Sequence, residues 1–313
     1  MSMNIFIDGA VGTTGLEIGE RLAGRSDIAL LTLPEDRRKD AAARAEVLND
    51  ADAVILCLPD DAAREAVSLI TNPKTRVIDA STAHRTDPAW AYGFAELEPG
   101  SRQSLSTATR ISNPGCYPTG FLALVRPLVR GGLIPASWPL SVNATSGYSG
   151  GGKSMIAAFE NSADPQATDT AFRIYALGLD HKHAPEMRVH AGLDHAPIFM
   201  PAVARSYRGM LVEVPLHLHA LPGRPGSSAI REVLEAAYEG SALVQVDSRE
   251  HTVLTLEQAA GTDRLELFVF ADEKAGQARL VAALDNLGKG AAGAAVQNLN
   301  IALGLNETEG LRL

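Results

Sequence analysis

The sequence is short of what secreted, membrane-bound and nucleic-acid-binding proteins rely on. It has two cysteines in 313 residues, Cys57 and Cys116, and neither has a metal-type partner at Cys-x-x-Cys spacing, so structural zinc has no ligand pair. No charged-then-apolar leader opens the chain, and no apolar run reaches about 18 residues, which predicts a cytoplasmic protein with no membrane association. Lys and Arg number 28 against 37 Asp and Glu, a formal net charge of -9. With no basic excess and no basic run interleaved with aromatics, nucleic acid is excluded as a partner. Any anionic ligand needs a local cationic pocket built from a few placed Arg and His side chains. No period of 20 to 50 residues recurs, which excludes repeat architectures.

What remains is ordinary globular composition, 46% hydrophobic and 21% charged. The length suits two domains. From Asn4 to about Asp79, apolar runs alternate with helical stretches in the order of βαβ units. Strands are predicted at Asn4 to Asp8, Ile28 to Leu33, Ala53 to Leu58 and Arg76 to Ile78, and helices at Leu16 to Gly24, Ala41 to Leu48 and Asp61 to Ile70. Continuous apolar strands fit a parallel sheet covered on both faces. Beyond Cys116 the pattern changes: Leu140 to Ala144, Met210 to Leu216 and Leu265 to Ala271 read as strands without regular intervening helices. Leu221 to Ser228 reads as an exposed loop, and Gly288 to Leu303 as a helix that returns to the first domain. The fold class predicted is α/β, a Rossmann-type parallel-sheet domain plus a mixed α+β catalytic domain. Its boundaries are set at residues 1–115, completed by 285–313, and at 116–284.

Gly9-Ala-Val-Gly12-Thr-Thr-Gly15 lies between the first strand and the first helix. Glycine permits a sharp turn and close approach to a pyrophosphate, and the helix start offers free N–H groups. Gly9, Val11, Gly12, Thr13, Thr14 and Gly15 are therefore candidate cofactor contacts, with Pro59 and Ser81 at the ends of later strands. After the second strand, Glu35 and Asp36 suit a ribose 2'-hydroxyl, whereas Arg37 and Arg38 suit a 2'-phosphate. The arginines favour NADP(H).

Asn113-Pro-Gly-Cys116-Tyr-Pro-Thr119 precedes the apolar helical stretch Phe121 to Val129. Cys116 is thereby placed at a helix start, where the dipole stabilises a thiolate. Cys57, inside Val54-Ile-Leu-Cys-Leu58, reads as a buried small hydrophobe. His181-Lys-His183-Ala-Pro-Glu186 gathers two imidazoles, a cation and a carboxylate; on an extended segment both rings would face one side, ready to take or return a proton. No metal is expected there. Thr145 to Lys153 supplies hydroxyls and backbone N–H groups for a substrate loop, with Ser146 and Ser149 as contacts. Arg85 and Arg208 are candidate anchors for carboxylate or phosphate, and Asn113 joins them as a substrate contact.

Taken in order, the glycine loop, the Asn113 to Thr119 motif, the Ser146 to Gly152 loop and the His181 to Glu186 segment resemble N-acetyl-γ-glutamyl-phosphate reductases, of the semialdehyde dehydrogenase superfamily. The short chain and the Asp79-Ala-Ser-Thr-Ala-His-Arg85 loop resemble the shorter of that family's two types. The resemblance implies an arginine-biosynthetic enzyme that converts N-acetyl-γ-glutamyl phosphate and NADPH to N-acetylglutamate 5-semialdehyde, phosphate and NADP. It assigns Cys116 as nucleophile and His181, His183 and Glu186 as active-site residues. It also implies that a C-terminal segment returns to the cofactor, with Asn286, Lys289 and Gly290 as contacts, and that the protein is a homodimer or homotetramer. Residues 200 to 206 depart from the sequence of the longer members.

Overall fold

The computed structural model describes residues 2–38 and 40–313. The chain opens with β1 (Met3–Asp8), α1 (Thr13–Leu22), β2 (Ile28–Leu31), α2 (Ala41–Asp50), β3 (Ala53–Leu56), α3 (Asp60–Leu69) and β4 (Arg76–Asp79). A short β5 (Ala91–Tyr92), α4 (Ser101–Thr107) and β6 (Arg110–Ser112) follow. Then come α5 (Cys116–Arg130), β7 (Ser141–Gly147), α6 (Gly152–Glu160), β8 (Phe172–Ile174) and α7 (Ala184–Ala191). The run continues through β9 (Ile198–Ala204), β10 (Met210–His217), α8 (Ser227–Tyr238), β11 (Val244–Val246), β12 (Leu265–Asp272), β13 (Gln277–Leu284) and α9 (Gly293–Leu303).

The contacts divide the chain into two units, one running up to Pro114 and taken up again at Ala291–Leu311, the other Gly115–Gly290 with Arg312–Leu313. The chain re-enters the first unit after Gly290, so Asp285 to Gly290 pack within the second.

In the first unit the described strands form a six-stranded sheet in the order β2-β1-β3-β4-β6-β5, every pairing parallel. Both faces are covered, as the apolar runs require. Ile5, Ile7, Ile55, Ile78 and Ile111 pack against Ile18 and Leu22 of α1 and against Ala295, Val296 and Leu299 of α9. Phe6, Val54, Leu56 and Val77 point the other way, onto Leu48 of α2 and Ala63 and Ala66 of α3. Each large aliphatic chain so buried contributes roughly 1.5–3 kcal/mol. The strand order reverses between β1 and β3, and the loops beyond their carboxyl ends carry the glycine motif. That is where open parallel sheets hold ligands.

The second unit holds a seven-stranded mixed sheet, β11-β12-β13-β10-β7-β9-β8. The expectation of few helices here is corrected: α5, α6, α7 and α8 all lie in this unit. Gly120 marks the closest approach of α5 to the sheet, since a Cβ there would lie 2.7 Å from Val212 and 3.4 Å from Ala282. Pro127 leaves the Ala123 carbonyl without its helical donor. The Tyr238 hydroxyl of α8 donates to that carbonyl instead, at 2.8 Å. The loop expected at Leu221 to Ser228 is shorter than foreseen: Leu221 is buried and Ser227 already begins α8.

Candidate active site

In the first unit, Gly9 turns the chain at φ +92°, and a Cβ on it would lie 2.3 Å from the Cys57 carbonyl oxygen. Gly15 is equally constrained, its Cβ position lying 2.4 Å from the Gly9 carbonyl oxygen. Neither position tolerates a side chain. The helix starts earlier than expected, at Thr13, so Thr13 and Thr14 lie in its first turn and Gly12 caps it without a side chain. The Thr13 hydroxyl is buried with no hydrogen-bond partner. A glycine cradle, an open helix start and an orphaned hydroxyl fit a dinucleotide pyrophosphate. Val11 is exposed, Pro59 caps α3, and Arg37 and Arg38 are exposed on the turn after β2. Sequence reading passed over Arg44, which ion-pairs with Asp8 at 2.9 Å at the end of β1.

Beyond β4, the buried Asp79 carboxylate accepts the Ser81 N–H at 2.9 Å and the Ser81 hydroxyl at 2.7 Å, and lies 2.6 Å from Nδ1 of His84. His84 stacks on Trp90 with ring centroids 4.1 Å apart. Arg85 is buried, and its Nε and Nη2 donate to the carbonyls of Asn113 and Ala80 at 2.9 Å each. The Asn113 amide donates to the Ala291 carbonyl and accepts from Asn298, both at 3.0 Å. These two side chains bind the backbone that leads toward Cys116. No signal in the sequence distinguishes such a clamp from a ligand anchor.

In the second unit, Cys116 is the first residue of α5, with Gly115 as its cap. The buried Glu186 on α7 accepts the Gly115 N–H at 2.8 Å, fixing the turn that presents the sulfur. Gly290 backs it so closely that an added Cβ would sit 2.9 Å from the Cys116 Cβ. Gly290 and the buried Lys289 belong to a π-helical turn at Gly288–Ala292, a local irregularity common at functional sites. The next residue, Tyr117, is buried; its hydroxyl donates to the Ala202 carbonyl at 3.2 Å and accepts from Tyr175 at 3.1 Å. Burial pushes the Tyr117 phenol well up, and Tyr175 and Cys116 add to it.

His181 and His183 do meet, but the extended segment expected there is a turn running into α7. Their rings lie edge to face, 4.7 Å apart, and both contact Tyr117. Burial holds His181 down to about 4, Lys182 adds to this, and Asp180 opposes it. A second polar group adjoins: Asn286 donates to Ser149 at 2.8 Å and accepts the Gly209 N–H, while Asp285 accepts from Arg208 at 3.1 Å. The Ser146 hydroxyl donates to the Gly147 carbonyl. Asp285 was missed; its signal is its place directly before Asn286. In the first unit, the Cys57 thiol is pushed up to about 12 by burial, with Asp79 and Asp8 adding.

A parallel-sheet unit with a glycine loop after its first strand, in one chain with a unit that sets a cysteine at a helix start, suits a class: the oxidoreductases that bind a dinucleotide. The family model described as "Semialdehyde dehydrogenase, NAD binding domain" matches residues 4–105, and "Semialdehyde dehydrogenase, dimerisation domain" matches residues 116–286. Solved structures of similar fold include aspartate semialdehyde dehydrogenase II from Vibrio cholerae, with TM-score 0.70, 16% identity and coverage of 97% of this chain and 99% of that one. A probable aspartate-semialdehyde dehydrogenase from Pseudomonas aeruginosa gives TM-score 0.74 at 15% identity over the same shares. Far nearer in sequence are N-acetyl-gamma-glutamyl-phosphate reductases, from Trichormus variabilis at 51% identity over 98% of both chains and from Brucella anthropi at 51% over 97% of this chain and 99% of the other. The chain belongs to the N-acetyl-γ-glutamyl-phosphate reductase family.

Proposed function

We propose that this protein reduces N-acetyl-γ-glutamyl phosphate to N-acetylglutamate 5-semialdehyde, a step of arginine biosynthesis, through a thioester on Cys116. The observation that carries the reading is the placing of Cys116 as the first residue of α5, its turn held by Glu186 and its neighbour Tyr117 in contact with both histidines. The free N–H groups and dipole of the helix start favour the anionic sulfur. The thiolate attacks the acyl carbon, the carbon–oxygen bond to phosphate breaks, and phosphate leaves with the electron pair. NADPH, when bound, supplies the hydride that reduces the thioester. The oxyanion of the resulting thiohemiacetal is met by an imidazole proton, which is recovered as the carbon–sulfur bond breaks and the aldehyde departs. The proton consumed overall ends on phosphate.

Gly9, Val11, Gly12, Thr13, Thr14, Gly15, Pro59 and Ser81 of the first unit hold the cofactor, and Asn286, Lys289 and Gly290 of the second serve it as well. Arg37 and Arg38 give the preference for NADP. Arg85, Asn113, Ser146, Ser149 and Arg208 bind substrate. The protein works in the cytoplasm, and among the described residues no helix is long and apolar enough to cross a membrane. It assembles as a homodimer or homotetramer. Phe172 and Ile174 on β8, and Ile198 and Met200 on β9, are exposed, and such an apolar patch on a sheet suits a second copy.

The test is phosphate-dependent reduction of NADP by N-acetylglutamate 5-semialdehyde. Turnover that requires phosphate is expected. Turnover with aspartate semialdehyde alone would keep the chemistry and overturn the substrate.

A further inference from the structure

We propose that Arg44 is a positioning residue for the cofactor that acts through Asp8: it cancels the Asp8 charge at the edge of the glycine cradle, so that a pyrophosphate can settle there. The inference rests on the reading of Gly9 to Gly15 as the cradle of NADP(H).

Two periods bring the pair together. Along β1, side chains two residues apart share a face, so Asp8 lies on the side of Phe6. Along α2, side chains four residues apart share a face, so Arg44 lies on the side of Leu48. Phe6 and Leu48 belong to one core cluster. One step further toward the carboxyl end of the strand and the amino end of the helix, the apolar cluster gives way to an ion pair: Nη2 of Arg44 donates to Oδ2 of Asp8 at 2.9 Å. The two side chains are only 11% and 10% exposed. Glu65 of α3 approaches Nη1 of Arg44 at 3.6 Å, but its side chain is 56% exposed, so water screens it. Asp8 is thus the charge that Arg44 chiefly answers.

Asp8 stands directly before Gly9, at the edge of the sheet where parallel sheets hold ligands. The next strand end feels its charge: the Cys57 thiol, raised mainly by burial, is raised further by Asp79 and Asp8. Asp79, the last residue of β4, has donors of its own in Ser81 and His84. Among the described residues, the Asp8 side chain accepts from Arg44 alone. A pyrophosphate drawn to the free N–H groups at the start of α1 brings negative charge with it. Without Arg44 it would meet an unpaired, nearly buried carboxylate, whose field a cleft concentrates. NADPH and NADH share the pyrophosphate, so Arg44 serves both alike and leaves the choice between them to Arg37 and Arg38.

The probes are NADPH and NADH, titrated into the whole cofactor-free protein and read by nicotinamide fluorescence, with thermal unfolding as a check on folding. Arg44→Met should raise both Kd values by about tenfold or more and leave their ratio within about twofold of wild type. The double variant Asp8→Asn/Arg44→Met removes both charges and should bring both Kd values back to within about threefold of wild type. Asp8→Asn alone should bind no more weakly than wild type. Unchanged binding by Arg44→Met overturns the proposal. So does a double variant that fails to recover, which would put Arg44 on the cofactor itself, or a loss confined to NADPH, which would put it on the 2'-phosphate. A loss of about tenfold in Asp8→Asn would make Asp8 a direct ligand and overturn it as well. If Arg44→Met fails to fold, the double variant and Asp8→Asn decide by themselves. Wild-type protein that binds neither dinucleotide would refute the cradle, and this inference with it.

Discussion

Cys57 and Cys116 each follow the carboxyl end of a parallel strand in the same sheet, β3 for one and β6 for the other, yet their surroundings differ. Cys57 continues the strand line: its N–H donates to the Asp8 carbonyl at 2.8 Å, and its backbone forms the wall against which Gly9 turns. Burial and two carboxylates keep its thiol protonated. Cys116 follows Asn113-Pro-Gly115 in the chain and is the first residue of a helix, with Glu186 bracing the turn. Position beyond a strand is common to both. The turn and the helix start belong to Cys116 alone, and the proposed role as nucleophile rests on them.

The largest expected contrast is in turnover. Cys116→Ser should lower kcat/KM by about a thousandfold or more, while Cys57→Ser leaves it within about twofold. Phosphate-dependent NADP reduction checks both, and equal losses would erase the distinction. Alkylation comes next. The raised value of Cys57 means the protonated thiol persists through neutral pH and thiolate appears only as pH rises toward about 12. At pH 8 its thiolate fraction is about one in ten thousand. Iodoacetamide followed by peptide mass spectrometry should therefore label Cys116 at least about a hundredfold faster than Cys57, and the gap should narrow only above about pH 11.

Gly9→Ala attacks the wall on the Cys57 side. With φ at +92° and the Cys57 oxygen 2.3 Å from the new Cβ, a destabilisation of about 2–4 kcal/mol is expected in urea unfolding. NADPH binding should weaken with it. The smallest effect belongs to the Cys116 side: Tyr238→Phe removes the donor to the Ala123 carbonyl of α5 and should cost about 1 kcal/mol. Cys57 should keep its slow alkylation in that variant.

Much of the first unit was legible because continuous apolar strands and a glycine loop leave direct marks on the sequence. Ile5 and Ile7 against Phe6 show the two covered faces within three residues. The second unit was legible only in part. β9 contains Pro201, which argues against an inner strand. It is accommodated because β8 pairs only with Ala202 to Ala204, so Pro201 lies beyond that ladder. β8 itself is three residues long and β11 no longer, too short to show a period. At the site, Cys116, His183 and Glu186 were recognisable by type and spacing. The backbone bonds of Arg85 and Asn113 were not, since a guanidinium or an amide that grips carbonyls reads the same in sequence as one that grips a ligand.

The return of α9 to the first sheet sets an order on the making of the protein. One covering of Ile5, Ile7, Ile55 and Ile78 is supplied by Ala295, Val296 and Leu299, which leave the ribosome after Gly115–Gly290 of the second unit. The parallel sheet is thus translated ahead of Gly115 to Gly290 and fully covered only after them. Until α9 emerges, the part of that face not covered by α1 waits exposed, a stage at which nascent α/β chains are open to aggregation and to chaperones.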